Sequence, residues 1–373
     1  MQRNRSILLA MPPTRFRGMP RVTAAAVVVL TLLAILALAY VARGYSTPVG
    51  AASADQGDLA MYGRIVDHMR DGQDYYTAAH AELLHGAYGT RSVFNWRLPA
   101  LPWLASLLPS LVWAEALLRL AAFGGLLLAF RLLDRTADRA TAFLVIPALA
   151  LNLVAAAAPG AAVFTDVAAG VLILVSASAY GLKLPGLGFI AAILALFIRE
   201  LAAPYVVICI FFAWRERRPA ELWAWLVGLV AFGGYFAWHY LMVQAQLGPG
   251  DIAYPQGWVQ FGGLGFVLST AAFNGLLLVE PRWASAILLP LCLLGLVAWR
   301  DPAAWRVGVT VGAYLVLFTV VGKRFDDYWG ALYTPLMMLG LPFVPAAARD
   351  LVMSLRDGRG VGAQPAPTVR AFP

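Results

Sequence analysis

Apolar runs long enough to enter a bilayer recur along this whole sequence, separated by short stretches whose basic residues are nearly all arginine. Hydrocarbon offers backbone N–H and C=O groups no partner, so a spanning segment must satisfy its own backbone. Helices do so, and each needs about 20 mostly apolar residues. The expected fold is therefore all-α: a polytopic integral membrane protein of about ten transmembrane helices. Candidate spans lie near 22–43, 111–133, 140–158, 167–182, 187–198, 201–214, 222–243, 283–299, 305–322 and 329–347. Only 13% of residues are charged, about half the share usual in soluble domains, so one buried core does not account for the apolar excess.

The net charge of +8 does not indicate a nucleic-acid binder, because the basic residues alternate with apolar runs and form no stripe on a polar domain. Cys209 and Cys292 both fall inside apolar runs, which leaves neither a disulfide framework nor a metal-type cysteine spacing. Arg3, Arg5, Arg15, Arg17 and Arg21 precede the first run, which is too long for a signal-peptide core; it reads as an uncleaved span with a cytoplasmic N-terminus. Ten spans then put Arg131, Arg135, Arg139, Lys183, Arg215, Arg217, Arg218, Arg300 and Arg306 on the cytoplasmic side. That places the chain in the inner membrane of a bacterial cell.

The organisation is one transmembrane domain over 1–350, with 44–100 as a large first outer loop carrying amphipathic helices and 351–373 as a disordered cytoplasmic tail. Two details follow from charge. A single helix over 187–214 would bury Arg199 and Glu200 at mid-membrane, at about 2.5–3.5 kcal/mol each. Two short segments turning at Arg199-Glu200 avoid this, and Pro204 suits the turn. The apolar stretch 263–280 reads as a helix lying on the outer interface, since a span there would put Arg300 and Arg306 outside.

The acids gather on the outer side, where they contribute little to orientation and so point to chemistry. The first loop contains Asp55 and Asp58 with Tyr62, then Gly72 with Tyr75 and Tyr76, then Arg97-Leu98-Pro99; further on comes Phe164-Thr165-Asp166 with Gly170. In this order the motifs resemble the C-type (GT-C) superfamily of membrane glycosyltransferases, which includes protein O-mannosyltransferases and the transferase that adds aminoarabinose to lipid A. The chain departs from that pattern in having no Glu directly after Asp58 and Leu98-Pro99 where two prolines are expected. The likeness covers about the first 200 residues.

The resemblance implies transfer of a sugar from a polyprenyl-phosphate donor to a glycan, lipid or protein acceptor on the periplasmic face. Asp58 is the expected catalytic carboxylate, with Asp55 next to it in rank, because a carboxylate in reach of an acceptor hydroxyl orients it and takes its proton. Tyr62 belongs to the same substrate-binding element. Arg97, Arg199, Lys323 and Arg324 are the candidates for the donor phosphate, which a guanidinium binds with two parallel hydrogen bonds, and Glu200 would hold Arg199. Asp166 has three readings: acceptor binding, a divalent cation such as Mg or Mn shared with Asp58, or the N-cap of its own helix. Plainer readings stand beside these: Arg199-Glu200 as a structural pair, Lys323 to Asp327 as an interfacial charge cluster, His68, His80, His85 and His239 as packing residues, and Glu115–Arg119 as an i,i+4 pair. His80, His85 and Glu82 give a faint metal hint. The competing functions are a transporter or flippase of lipid-linked sugars, which would favour internal repeats and mid-membrane charges, and a non-catalytic membrane subunit.

Overall fold

The computed structural model describes residues 11–44, 57–255, 257–273, 282–323 and 325–357. Asp55 and Arg324 therefore lie outside the described residues, as does 358–373. Every regular element is helical; the described residues contain no strand, only an isolated antiparallel bridge between Val259 and Val321.

In chain order the helices are α1 (Arg21–Arg43), α2 (Asp58–Arg70), α3 (Tyr75–His85), α4 (Ala100–Leu107), α5 (Leu111–Thr136), α6 (Arg139–Asn152), α7 (Thr165–Gly181) and α8 (Pro185–Ile198). There follow α9 (Ala203–Arg215), α10 (Pro219–Gln246), α11 (Gly263–Ala271), α12 (Arg282–Ala298), α13 (Ala303–Leu317), α14 (Thr334–Met338) and α15 (Val344–Asp357). Four stretches have the length and composition to cross a membrane: α1, α5, α10 and the continuous 334–356 segment. In α1 and α10 the apolar side chains are largely outward, with Leu30, Leu33, Leu36, Trp223, Val227 and Val230 all exposed, as lipid-facing surfaces require, whereas most of 334–356 is buried inside the bundle.

The break at Arg199-Glu200 is present. α8 stops at Ile198, a short turn covers Glu200–Ala202, and α9 restarts at Ala203 with Pro204 in its first turn, where a missing N–H costs nothing. The Tyr314 hydroxyl donates to the Leu201 carbonyl and fixes this turn from α13. Two expectations need correction. α11, the described helix of the stretch 263–280, is exposed at Leu264 but has Phe266 through Ala271 buried against the protein rather than lying flat on the interface, and its nine residues, about 14 Å of helix, are too short to cross; 274–280 lies outside the described residues. The tail is ordered through Asp357, because α15 continues that far and is clamped to the N-terminal segment. The clamp is Asp350, which accepts from the Thr14 backbone N–H (2.6 Å) and hydroxyl (3.0 Å), while Arg349 Nη1 donates to the Met11 carbonyl at 2.7 Å.

The segment 57–100 holds two helices, α2 and α3, around a small core of its own formed by Met61, Ile65, Val66, Tyr75, Tyr76 and Trp96. Asp74 caps α3 by accepting from the Tyr76 and Thr77 N–H groups. On the other side of the site, the turn Asp327–Leu332 sits directly on α7. Gly170 permits that approach: a Cβ there would lie 2.0 Å from the Ala331 carbonyl oxygen.

Candidate functional site

Three pieces of chain meet at one end of the bundle: the α2–α3 segment, the first turn of α7, and the stretch between α13 and α14. Asp58 begins α2, just after Gly57, whose φ of 114° suits only glycine. It is partly exposed, and the Tyr88 hydroxyl donates to its Oδ1 at 2.5 Å. Burial, and then the neighbouring Asp58 carboxylate, push the Tyr88 phenol well up from its ordinary value, so Tyr88 stays a donor at any physiological pH.

Behind Asp58 stands a buried ion network. Asp166, fully buried in the first turn of α7, makes no capping bond. Its Oδ1 accepts from Arg199 Nε at 2.8 Å, and its Oδ2 is 3.8 Å from Arg97 Nη2. Arg199, 1% exposed, also donates from Nη1 to Glu200 Oε1 at 2.7 Å and stands over the Trp329 ring at 5.9 Å. Arg97 lies between the rings of Tyr62 and Tyr328, 5.6 and 5.5 Å from their centroids, and donates from Nη2 to the Tyr328 hydroxyl at 2.9 Å. The Tyr75 hydroxyl holds the Arg97 carbonyl.

Tyr328 passes the chain of hydrogen bonds to Asp326, whose Oδ1 accepts from it at 3.2 Å and whose Oδ2 accepts the Lys323 backbone N–H at 2.8 Å. Burial raises the Asp326 carboxyl to about 6 against the opposing pull of these donors and of Arg97. The Lys323 ammonium sits in an aromatic cage, 3.9 Å from the Tyr254 ring and 4.6 Å from that of Trp258. Burial lowers its pKa, with Asp326 opposing.

These groups border an open cleft lined by Asp58, Tyr62, Tyr88, Phe94, Arg97, Tyr254, Trp258, Asp326 and Tyr328 among others. A second cavity of about 410 Å³, lined by Arg199, Glu200 and Trp329, shares Phe94 and Trp258 with it. Of the residues expected from the sequence, Asp58, Tyr62 and Arg97 line the cleft. Asp166 does not; it serves as the anion that holds two guanidiniums. Of the two carboxylates expected to share a cation, Asp166 faces Arg97 and Arg199, and only Asp58 borders the cleft; among the described residues no group of three or more His, Cys, Asp or Glu is disposed to hold a metal. The N-cap reading of Asp166 falls with the same geometry.

Arg199 was expected at the donor phosphate; its guanidinium is instead engaged by Asp166 and Glu200, although it borders the inner cavity. Three of the four histidines are paired: His68 with Glu82 at 3.2 Å, His80 with Asp251 at 2.8 Å, His239 with the Tyr76 hydroxyl at 3.0 Å. Glu82 also accepts from Arg64 at 2.7 Å, so two members of the faint His80–Glu82–His85 metal hint, His80 and Glu82, are engaged with other partners. Glu115 and Arg119 form their expected pair at 2.7 Å. The sequence reading missed Tyr88, Tyr254, Trp258 and Tyr328. Their signal was the density of aromatics in the polar connecting stretches, which in a spanning protein is easily read as an interfacial belt.

No family model, characterised protein or solved structure matches the chain. The fold and site define an all-helical protein with apolar helices of membrane-crossing length and an aromatic-walled, carboxylate-bearing cleft at one end.

Proposed function

We propose that the chain is a multi-pass glycosyltransferase that moves a sugar from a polyprenyl-phosphate donor to a hydroxyl of a glycan, lipid or protein acceptor, with inversion, at the periplasmic face of a bacterial inner membrane. The observation that supports this best is the cleft itself, in which one partly exposed carboxylate and one arginine share a wall of aromatic rings. Flat rings suit the apolar faces of a sugar, and a few placed polar groups then orient it.

In the proposed step the acceptor oxygen forms a bond to the anomeric carbon while the bond from that carbon to the phosphate oxygen breaks. The hydroxyl proton passes to Asp58 and the electron pair leaves with the polyprenyl phosphate. Tyr88 holds the Asp58 carboxylate in one orientation. Arg97, with its Nε left without a hydrogen-bond partner, supplies positive charge at the cleft for the leaving phosphate. No step passes through a metal. The shorter apolar helices α6, α7, α8, α12 and α13 join the four long candidates in the bundle, consistent with about ten crossings when the α8–α9 break is counted.

The test is transfer of labelled sugar from a purified polyprenyl-phosphate donor. Asp58→Asn is nearly isosteric but accepts no proton, and turnover should fall by about 10²–10⁴-fold with donor binding retained. Parental transfer by Asp58→Asn, Asp55→Asn and the double variant would remove this loop from the chemistry; donor translocation would then be the activity to measure.

A further inference from the structure

A second cavity lies at the opposite end of the same helices. α7 carries Asp166 in its first turn and ends at Gly181; its 17 residues separate those ends by roughly 25 Å. The cavity, about 570 Å³, is bordered by the α7–α8 turn, the end of α9 and the start of α13. Its charged lining is Lys183, Arg218, Arg306, Glu216 and Asp301.

Arg306 is the unusual member. A residue that merely anchors topology keeps its charge in water, yet Arg306 is 5% exposed. Its guanidinium is stacked between Tyr180 (4.1 Å to the centroid) and Phe212 (4.7 Å). Its nearest carboxylate oxygen, Glu216 Oε1, is 3.8 Å from Nη2, beyond hydrogen-bond length, and Nη1 has no hydrogen-bond partner. Glu216 is already shared, because Arg218 Nη2 approaches its other oxygen at 2.8 Å. Of the other acids, Asp301 in the lining accepts the Ala303 backbone N–H at 2.8 Å, and Glu221 accepts from Arg218 and from the Tyr180 hydroxyl. Removing an arginine from water costs several kcal/mol unless a close anion compensates. Here the protein supplies the rings, the neighbouring Cys209 thiol and, among the described residues, no carboxylate but a loose, shared one. Lys183, exposed on its turn, faces the same space without an ion-pair partner among the described residues.

We propose that this cavity binds a phosphate group, held by Arg306 and Lys183 with Arg218 at the rim. A guanidinium fixed flat between two rings presents its N–H edge in one plane, the geometry a phosphate meets with two hydrogen bonds. The space accommodates more than a bare ion, so the phosphate belongs either to an anionic lipid headgroup or to a soluble phosphate compound. The site is independent of the cleft chemistry and of the transferase reading.

The experiment uses the full chain in nanodiscs of phosphatidylcholine alone. One arm titrates inorganic phosphate and follows the unfolding temperature, which rises when a ligand binds only the folded state. The other arm adds phosphatidylglycerol to the nanodisc and measures its retention on the released protein by native mass spectrometry. Each is repeated on Lys183→Gln, Arg306→Gln and, as a control of equal charge change outside the cavity, Arg217→Gln. Weakening by about tenfold or more in the first two variants, with Arg217→Gln like the parent, supports the site. The phosphate arm then identifies a soluble ligand and the lipid arm a headgroup. Lys183→Gln, at an exposed position, decides the matter if Arg306→Gln does not fold. Failure of both probes to engage the parent, or an equal loss in Arg217→Gln, overturns the proposal.

Discussion

Asp58 and Asp166 both stand at the first turn of a helix at the same end of the bundle, and their surroundings could hardly differ more. Asp166 is fully buried and meets two arginines. Asp58 is partly exposed on an open cleft, and its only hydrogen-bond partner among the described residues is a neutral phenol. A carboxylate neutralised by two guanidiniums is a poor base and a poor cation ligand, but a strong structural tie. A carboxylate oriented by one hydroxyl and open to solvent keeps a lone pair available for a proton. The comparison teaches that an acid at a helix start acquires its role from the charge placed opposite it.

The two acids should therefore fail in opposite ways. Asp58→Asn should lose about 10²–10⁴-fold in sugar transfer while thermal unfolding in detergent stays near the parent. Asp166→Asn should instead destabilise by about 3–5 kcal/mol, because it leaves Arg199 buried beside Glu200 alone; the measurement is the unfolding midpoint. Joint replacement of Asp166 and Arg199 by Asn and Met should recover part of that loss. If Asp166→Asn proves as stable as the parent but inactive, the distinction between the two acids collapses.

Asp326 offers an intermediate case, buried but, among the described residues, without an ion-pair partner. Its carboxyl is raised to about 6, so between pH 4 and 6 the folded state binds more protons than the unfolded one. Stability should fall as pH rises through that window, by up to about 3 kcal/mol. Asp326→Asn should flatten the fall, raising the unfolding midpoint relative to the parent at pH 7.5 and leaving it near the parent below pH 4. A midpoint with the same pH profile in both proteins would show that Asp326 does not titrate there.

The smallest expected effect is that of Tyr88→Phe. It removes one hydrogen bond from Asp58, worth about 0.5–1.5 kcal/mol, and should reduce kcat by roughly two- to tenfold. A merely structural Tyr88 would lower the unfolding midpoint in step with activity, whereas a positioning Tyr88 should lower kcat with KM and the unfolding midpoint near the parent.

Much of the frame was legible in the chain. Apolar run lengths required helices, and the cost of Arg199 and Glu200 in hydrocarbon required a break where α8 and α9 in fact part. Asp58, Tyr62 and Arg97 were legible as a group, because motif order brought them to one end of the bundle. The identity of the cleft's other wall was not. Trp258 and Lys323 are brought together when the stretch before α11 pairs with the stretch after α13, through Gln260 N–H to the Val320 carbonyl and Gly322 N–H to the Trp258 carbonyl. Two irregular segments about 60 residues apart leave no periodic trace of that pairing.

The sequence by itself determined that the chain is helical and apolar-surfaced, because backbone satisfaction in hydrocarbon is a local requirement of each segment. It also determined which few residues carry charge among so many that do not. Only the tertiary structure decided what each charge does. Asp166 became a tie because Arg97 and Arg199 arrive from other elements. Asp58 remained open because, among the described residues, only Tyr88 reaches it. Arg306 became buried because Tyr180 and Phe212 close over it. Coulomb and desolvation energies depend on distance and surroundings that chain order does not encode.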